Sequence, residues 1–186
     1  MRARELLWDV AVDQYGYVTL RDAGKLGING YAIRMLLARG QLERVGHGVY
    51  HFPKFPVTSR DPYMLAVLWT GVSGTCLSHD TALAVREVCD INPDRIHLTV
   101  PKDRRIRRAG GDLYVVHYQD VTLGQVEWWE QIPIVSLPVA ISQCIASGVP
   151  TYLLRQAIEN GRRLGSLTVT EAEDLKVTLE GRHEQQ

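Results

Sequence analysis

Glycines divide the first 52 residues into short segments, and this spacing is the strongest constraint on the fold. Gly16, Gly27 and Gly40 each follow a short helix-like segment, and a glycine at that place typically ends a helix. Gly46 and Gly48 lie between two alternating segments, as in a tight β-hairpin. The predicted helices are 3–14, 19–27 and 31–39, and the predicted strands are 42–45 and 49–52. Helix, helix-turn-helix and hairpin, in this order, predict a winged helix-turn-helix.

Two prolines in the polar stretch 53–60 predict a linker, because proline stops a helical or strand pattern. We therefore predict a winged-helix DNA-binding domain at 1–55 and a second domain at 56–186. The predicted helices of the second domain are 61–71, 78–88, 136–147, 151–164 and 170–179, and its predicted strands are 95–100, 113–118 and 127–135. Thr170 and Glu173 have the spacing of a capping box, and 180–186 is predicted to be a frayed tail. The fold class is α+β, with a small mixed sheet and C-terminal helices in the second domain.

Composition is that of a folded protein: 45% of the 186 residues are hydrophobic and 23% are charged. No apolar run reaches the roughly 18 residues of a membrane span, and the charged N-terminus does not resemble a signal peptide, so we expect a cytoplasmic protein. Cys76, Cys89 and Cys144 form no CxxC pair and are odd in number. This argues against a disulfide framework and a structural zinc site, and favours buried small apolar side chains.

Charge is distributed unevenly along the chain. Residues 1–108 contain 16 Lys/Arg and 11 Asp/Glu, a net +5, whereas 109–186 have a net −5. Any surface for a polyanion is therefore expected in the first part. The densest basic stretch is the predicted loop after strand 95–100, which could bind an anion or an acidic partner or be a solvated loop with no partner. Its basic residues are Lys102, Arg104, Arg105, Arg107 and Arg108.

The second helix of a helix-turn-helix enters the major groove, and its N-terminal residues contact base edges. Four residues lie off the apolar stripe of 31–39 and are predicted to face outward: Asn29, Tyr31, Arg34 and Met35. Arg34 is the first candidate for a base contact, because a guanidinium can pair bidentately with guanine. The residues predicted to contact phosphate or minor groove are Thr19, Arg21, Lys25, Arg44 and His47. The alternative is that all of these are solvated residues of a small helical domain.

We find no convincing catalytic constellation. Ser78, His79 and Asp80 are the residue types of a hydrolase triad, but consecutive residues at a helix start cannot converge, and Ser78 is expected to cap the helix. His97 and His117 are predicted to be hydrogen-bonded strand residues rather than metal ligands. We therefore expect no enzymatic activity, no cofactor and no metal.

Adjacent tryptophans, Trp128 and Trp129, lie in the predicted strand 127–135. Neighbouring strand residues face opposite sides of a sheet, so only one can enter the core. We expect Trp129 to be the exposed anchor for a protein partner, and the alternative is that it packs under the C-terminal helices.

Taken together, these segments resemble the AbiEi family of type IV antitoxins. The first set of matching residues is 16–19, 22–23, 27–28, 36–45 and 48–50, similar to the N-terminal winged helix of that family. The second set is 77–83, 96–101 and 132–136, similar to its C-terminal antitoxin domain. One departure is 139–143, where the family commonly has an Arg-Thr-Leu-hydrophobic-Asp run.

The resemblance implies an antitoxin that represses its own operon by binding inverted repeats in promoter DNA and neutralises a nucleotidyltransferase-like toxin. The residues that it implies for DNA binding are Thr19, Arg21, Asn29, Tyr31, Arg34 and Arg44. The first alternative is a winged-helix regulator with a ligand-sensing or dimerising second domain and no toxin. A catalytic protein such as a nuclease is the second alternative.

Overall fold

A computed structural model describes residues 2–108 and 110–182 of the chain. The helices are α1 Arg2–Val12, α2 Leu20–Lys25, α3 Gly30–Ala38, α4 Asp61–Trp69, α5 His79–Ala84, α6 Leu137–Ala146, α7 Thr151–Arg163 and α8 Val169–Gly181, with a 3-10 turn at Leu123–Gln125. The strands are β1 Tyr17–Thr19, β2 Glu43–Gly46, β3 Val49–His51, β4 Cys76–Leu77, β5 Ile96–Val100, β6 Tyr114–Tyr118, β7 Val126–Trp129 and β8 Ile132–Val135. The predicted α+β class is confirmed.

Two compact units make up the chain, and they divide it at other points than the predicted boundary after residue 55. The first unit is Met1–Ser73 with Ile106–Gly111, and the second is Gly74–Arg105 with Asp112–Gln186. Helix α4 and part of the basic loop thus belong to the first unit. The prolines at 53 and 56 mark a local break in the chain, but they do not decide which later segments pack against the N-terminal elements.

In the first unit, helices α1, α2 and α3 share one core with a small antiparallel sheet of order β1-β3-β2. Its core comprises Leu7, Ala11, Val18, Ala23, Ile33, Leu36, Leu42, Tyr50 and Phe52. Strand β1 was not predicted from the sequence, because three residues are too few for an alternating pattern. Gly16 ends the turn after α1 with a φ of +84°, and a Cβ there would overlap the side chains of Phe55 and His51. A glycine is therefore required at the start of this sheet.

The second unit contains a mixed five-stranded sheet of order β6-β5-β4-β8-β7. The predicted single strand 127–135 is wrong: β7 and β8 form a hairpin around Glu130 and Gln131, which both have positive φ. A proline inside a strand is typical of an edge strand or a bulge, yet Pro133 lies in β8, an inner strand of this sheet. Because the short β4 pairs with β8 only between Leu77 and Ile134, the missing N–H of Pro133 interrupts no pair of that ladder.

Helices α6, α7 and α8 complete the second unit and bury Leu137, Ile141, Leu154 and Ile158 almost completely. The predicted capping box at 170–173 is wrong by two residues. Thr168 is the N-cap of α8: its hydroxyl accepts from the Glu171 N–H at 3.2 Å, and the Glu171 carboxylate accepts from the Thr168 N–H at 2.8 Å. Helix α8 continues to Gly181, into the predicted tail, and residues 183–186 lie outside the described residues.

All three cysteines are buried and unpaired, which confirms their prediction as small core residues. Burial raises the pKa of the Cys76 thiol to about 12 and also raises the pKa values of Cys89 and Cys144. Across residues 2–108 and 110–182, no helix has the length and apolar character needed to cross a membrane.

Candidate nucleic-acid interface

Helices α2 and α3 and the turn between them form the predicted helix-turn-helix. Ile28 in the turn donates its N–H to the Ala23 carbonyl at 2.8 Å, and Gly27 has a φ of +69°. Ala23, Ile33 and Leu36 are buried, so one face of each helix is held by the core of the first unit. The apolar spacing that predicted the helices therefore also sets which side of α3 faces away from the core.

Tyr31 and Arg34 lie exposed on α3, as predicted; the Tyr31 side chain is 63% exposed. Ala38 continues this exposed face one turn further along the helix, whereas Met35 is half-buried. This face of α3 therefore presents the Arg34 guanidinium and the Tyr31 hydroxyl to solvent, with a small residue one turn further along.

Two predicted contact residues have side chains that cap helices. The Thr19 hydroxyl donates to the Asp22 carboxylate at 2.7 Å and accepts from the Asp22 N–H at 3.2 Å. The Asn29 side-chain oxygen accepts from the Ala32 N–H at 3.0 Å. These bonds occupy the Thr19 hydroxyl proton and the Asn29 oxygen, so Asn29 retains its amide N–H groups as donors and Thr19 mainly orients α2.

Arg44 and His47 are exposed in the β2–β3 hairpin. The Arg44 Nε donates to the Gly46 carbonyl at 3.3 Å, and the ladder register shifts between these two residues. The hairpin is therefore irregular near its tip, where His47 lies.

Four basic side chains line one cavity of about 360 Å³ in the first unit: Arg21, Lys25, His47 and Arg108. Among the described lining residues, Asp22 is the one with a carboxylate, and it already accepts from Thr19 and from the Gln14 amide. Among the described residues, no carboxylate lies within 4 Å of Arg21, Lys25 or Arg108. The described lining of the cavity therefore holds one acidic residue beside the basic ones, and its charge is positive on balance.

A second basic cavity of the first unit, of about 550 Å³, was not predicted from the sequence. Arg4, Arg39 and Lys54 line it together with the rings of Trp8 and Phe52. The guanidinium of Arg4 lies 5.5 Å from the centre of the Trp8 ring, within cation–π range. These residues are far apart in the sequence, so only the tertiary structure brings them together.

The predicted basic loop is not one uniform patch. Arg105 donates to the carbonyls of Lys102 and Arg104 at 3.0 and 2.9 Å and lies over the Tyr118 ring in the second unit. Arg108 is half-buried in the first unit, where it donates to two backbone carbonyls. Lys102, Arg104 and Arg107 are exposed.

The exposed tryptophan is Trp128, not Trp129. The Trp128 side chain is 73% exposed, whereas Trp129 is half-buried. Side chains alternate along β7, and the sequence does not show which face of this edge strand meets the core. The prediction of Trp129 as the exposed anchor is therefore wrong.

Three histidines meet in the second unit, a cluster that the sequence analysis missed. The rings of His79 and His117 stack with centres 3.5 Å apart, and His97 Nδ1 lies 3.1 Å from His117 Nε2. Burial lowers the pKa of His79 to about 3, with further lowering by His117 and His97, and burial also lowers the pKa values of His97 and His117. The described residues contain no group of three or more His, Cys, Asp or Glu arranged to hold a metal.

Ser78 occupies the N-cap position of α5, but its side chain makes no capping bond. Its hydroxyl lies instead 2.9 Å from His79 Nδ1, and both residues are buried. The expected capping role of its hydroxyl is therefore wrong, because the positive φ of His79 folds that ring back onto Ser78. Asp80 accepts from the Cys144 thiol, so the three consecutive residues do not form a triad.

Comparison with known proteins gives a family match in the N-terminal part of the chain. Residues 5–53 match a family model described as transcriptional regulator, AbiEi antitoxin. The AbiEi match spans α1 through β3 and includes the exposed residues of α3 and of the hairpin. The resemblance inferred from the sequence is confirmed for this segment.

The whole chain is similar in fold to the RV2827C protein from Mycobacterium tuberculosis. The crystal structure of that protein aligns with a TM-score of 0.53 and 19% sequence identity, covering 98% of this chain and 78% of that one. At this identity the likeness concerns the fold alone. A search of curated proteins found no match.

Proposed function

We propose that this protein is a transcriptional regulator that binds double-stranded promoter DNA with inverted repeats through α3 and the β2–β3 hairpin. The observation that carries the proposal is the outward face of α3, where Arg34 and Tyr31 are exposed while Ile33 and Leu36 are buried. Arg34 reads a base edge, and Lys25, Arg21 and the hairpin contact phosphates. By binding its own promoter the protein represses its operon.

We further propose that the protein is an antitoxin of the type IV class, which neutralises a nucleotidyltransferase-like toxin. The family description of residues 5–53 supports an antitoxin function. Neutralisation is assigned to the second unit and requires no catalytic step, cofactor or metal.

Salt dependence tests the DNA-binding proposal. If about five phosphates are contacted, the logarithm of the binding constant falls against the logarithm of salt concentration with a slope of about −4.5. Fluorescence anisotropy of the full chain on duplex from its own upstream region, with a shuffled duplex as control, measures this slope. Equal affinity for both duplexes would contradict sequence-specific regulation, and a slope near zero would contradict DNA binding. The same samples with and without magnesium test for cleavage, which the proposal does not expect.

A regulator that senses a ligand, without a toxin, is the alternative, and one observation favours it. The second unit contains a cavity of about 530 Å³ lined by the side chains of His79, Gln119, Ser142 and Gln143, among others. Its size and hydrogen-bonding groups suit a small polar molecule. Loss of operator affinity on adding cell metabolites, with no rescue of any toxin, would favour this alternative.

A further inference from the structure

Arg108 lies far from the helix-turn-helix in sequence, yet it belongs to the first unit. Its Nη1 donates to the His47 carbonyl at 3.0 Å and to the Trp69 carbonyl at 2.8 Å. One guanidinium nitrogen therefore joins the tip of the β2–β3 hairpin to the C-terminal end of α4.

The end of α4 is suited to hold this cation. The last carbonyls of a helix have no partners within it and form the negative end of its dipole. Arg108 donates a hydrogen bond to the Trp69 carbonyl, and Arg21, in α2, donates one to the Gly71 carbonyl at 2.7 Å. Two arginines thus lie at this end of α4, one bonded to its last residue and one to Gly71, two residues beyond the helix.

Gly71 leaves the space that the Arg108 guanidinium fills. Its φ is +64°, and a Cβ built on it would overlap the Arg108 guanidinium. The absence of a side chain at residue 71 is therefore needed for the approach of Arg108.

Other contacts also hold the hairpin tip. The β2–β3 ladder shifts register between Arg44 and Gly46 and pairs Gly46 with Val49, and the Leu20 N–H donates to the Gly48 carbonyl at 3.0 Å. Leu20, in α2, and Arg108 donate to neighbouring carbonyls of the turn, those of Gly48 and His47. Together they fix the orientation of the hairpin relative to α2.

We infer that Arg108 is a positioning residue for the hairpin: it orders the tip before DNA arrives and thereby aligns Arg44 and His47 with the phosphates. The functional part of this inference rests on the proposed DNA binding. It also assigns the last arginine of the basic loop a different task from that of a partner-binding charge.

The test uses the full chain with two variants that remove the contact in different ways. Arg108→Ala deletes the guanidinium, while Gly71→Ala displaces it and leaves every charge in place. Gly165→Ala is the matched control, because Gly165 has a similar φ of +73° and no atom within 4 Å of its Cβ position. Thermal unfolding of all three variants establishes that each is folded.

Hydrogen exchange of amides 46–49 is measured first, without DNA. We expect exchange at the tip to become about tenfold faster in Arg108→Ala and in Gly71→Ala, as for loss of a hydrogen bond to a charged group, with α3 unchanged. Gly165→Ala should match the wild type. Exchange at the tip that stays at the wild-type rate in either variant overturns the inference.

DNA binding is measured second, as a double-mutant cycle with Arg44→Ala. If Arg108 positions the hairpin, Arg44→Ala loses less affinity in the Arg108→Ala background than in the wild type. The opposite result is that the affinity losses of Arg108→Ala and Arg44→Ala add up while Gly71→Ala binds DNA like the wild type. Arg108 would then contact a phosphate directly, and the positioning role would be overturned. If the wild type binds no DNA, the proposed function fails, while hydrogen exchange still decides whether Arg108 orders the tip.

Discussion

Arg34 and Lys25 are both exposed cations of the helix-turn-helix, but they differ in what they can contact. Arg34 lies on the outward face of α3, and Lys25 lies in the last turn of α2. We expect Arg34→Ala to lose about 1 to 3 kcal/mol of operator binding and to relax base preference, whereas Lys25→Ala should weaken all sequences alike. Anisotropy on operator and shuffled duplexes measures both. Equal losses on the two duplexes for Arg34→Ala would mean that α3 does not read bases.

His79 makes folding stability depend on pH. Its pKa is lowered to about 3 in the folded chain, mainly by burial and then by His117 and His97. Below the ordinary histidine pKa of about 6.5, the residue therefore binds a proton in the unfolded chain but stays neutral in the folded chain. The free energy of unfolding falls as the pH drops for this reason. His79 alone should cost about 1 kcal/mol between pH 7.5 and pH 5.5. Asp80, Asp94 and Arg95 also act on His97 in this cluster.

His79→Asn removes the ionisable ring, and asparagine tolerates the φ of +50° at this position. Urea unfolding at pH 7.5 and pH 5.5 should show a smaller loss of stability in the variant than in the wild type. The difference between the two pH values is the readout, because the lost ring stacking lowers stability at both. An unchanged pH dependence would mean that His79 does not control the acid response.

Helix α8 depends on the cap that starts it. Thr168 and Glu171 exchange hydrogen bonds, and those donated by Thr168 lower the pKa of Glu171. Thr168→Ala should destabilise the second unit by about 1 kcal/mol. Thr170→Ala is the matched control, because Thr170 has the sequence spacing of a cap but lies inside the helix. Urea unfolding should rank Thr168→Ala below Thr170→Ala, and the reverse order would contradict the assignment.

The choice between these two threonines illustrates the limit of local patterns at the level of elements. Both are followed three residues later by a glutamate, so the sequence alone offers two equivalent starts. Leu167 is 2% exposed and Ala172 is 3% exposed. The burial of residues before and after Thr168 favours this earlier start of α8. That burial depends on helices α6 and α7.

At the scale of the whole molecule, we expect the two units to have separate functions. If the second unit neutralises the toxin, Arg34→Ala should lose repression and still rescue growth when the gene immediately downstream is induced. Growth curves and a promoter-reporter measurement on the same cells give both readouts. Rescue lost together with repression would contradict separate tasks, and a harmless downstream product would remove the antitoxin proposal. Full-length variants suit this test because a fragment cut after residue 55 lacks α4 and Arg108, which belong to the first unit.

The sequence by itself determined the order of the helices and of the β2–β3 hairpin in 5–53, the outward position of Tyr31 and Arg34 on α3, and the burial of the cysteines. Those features depend on glycines, caps and apolar spacing within about ten residues, and local chemistry is sufficient to predict them. Only the tertiary structure decided that Arg108 joins the hairpin tip, that three histidines meet, and that Trp128 rather than Trp129 is exposed. Each of these depends on contacts between segments distant in sequence, because the pairing of strands and the place to which a loop returns depend on how the whole unit buries its apolar residues.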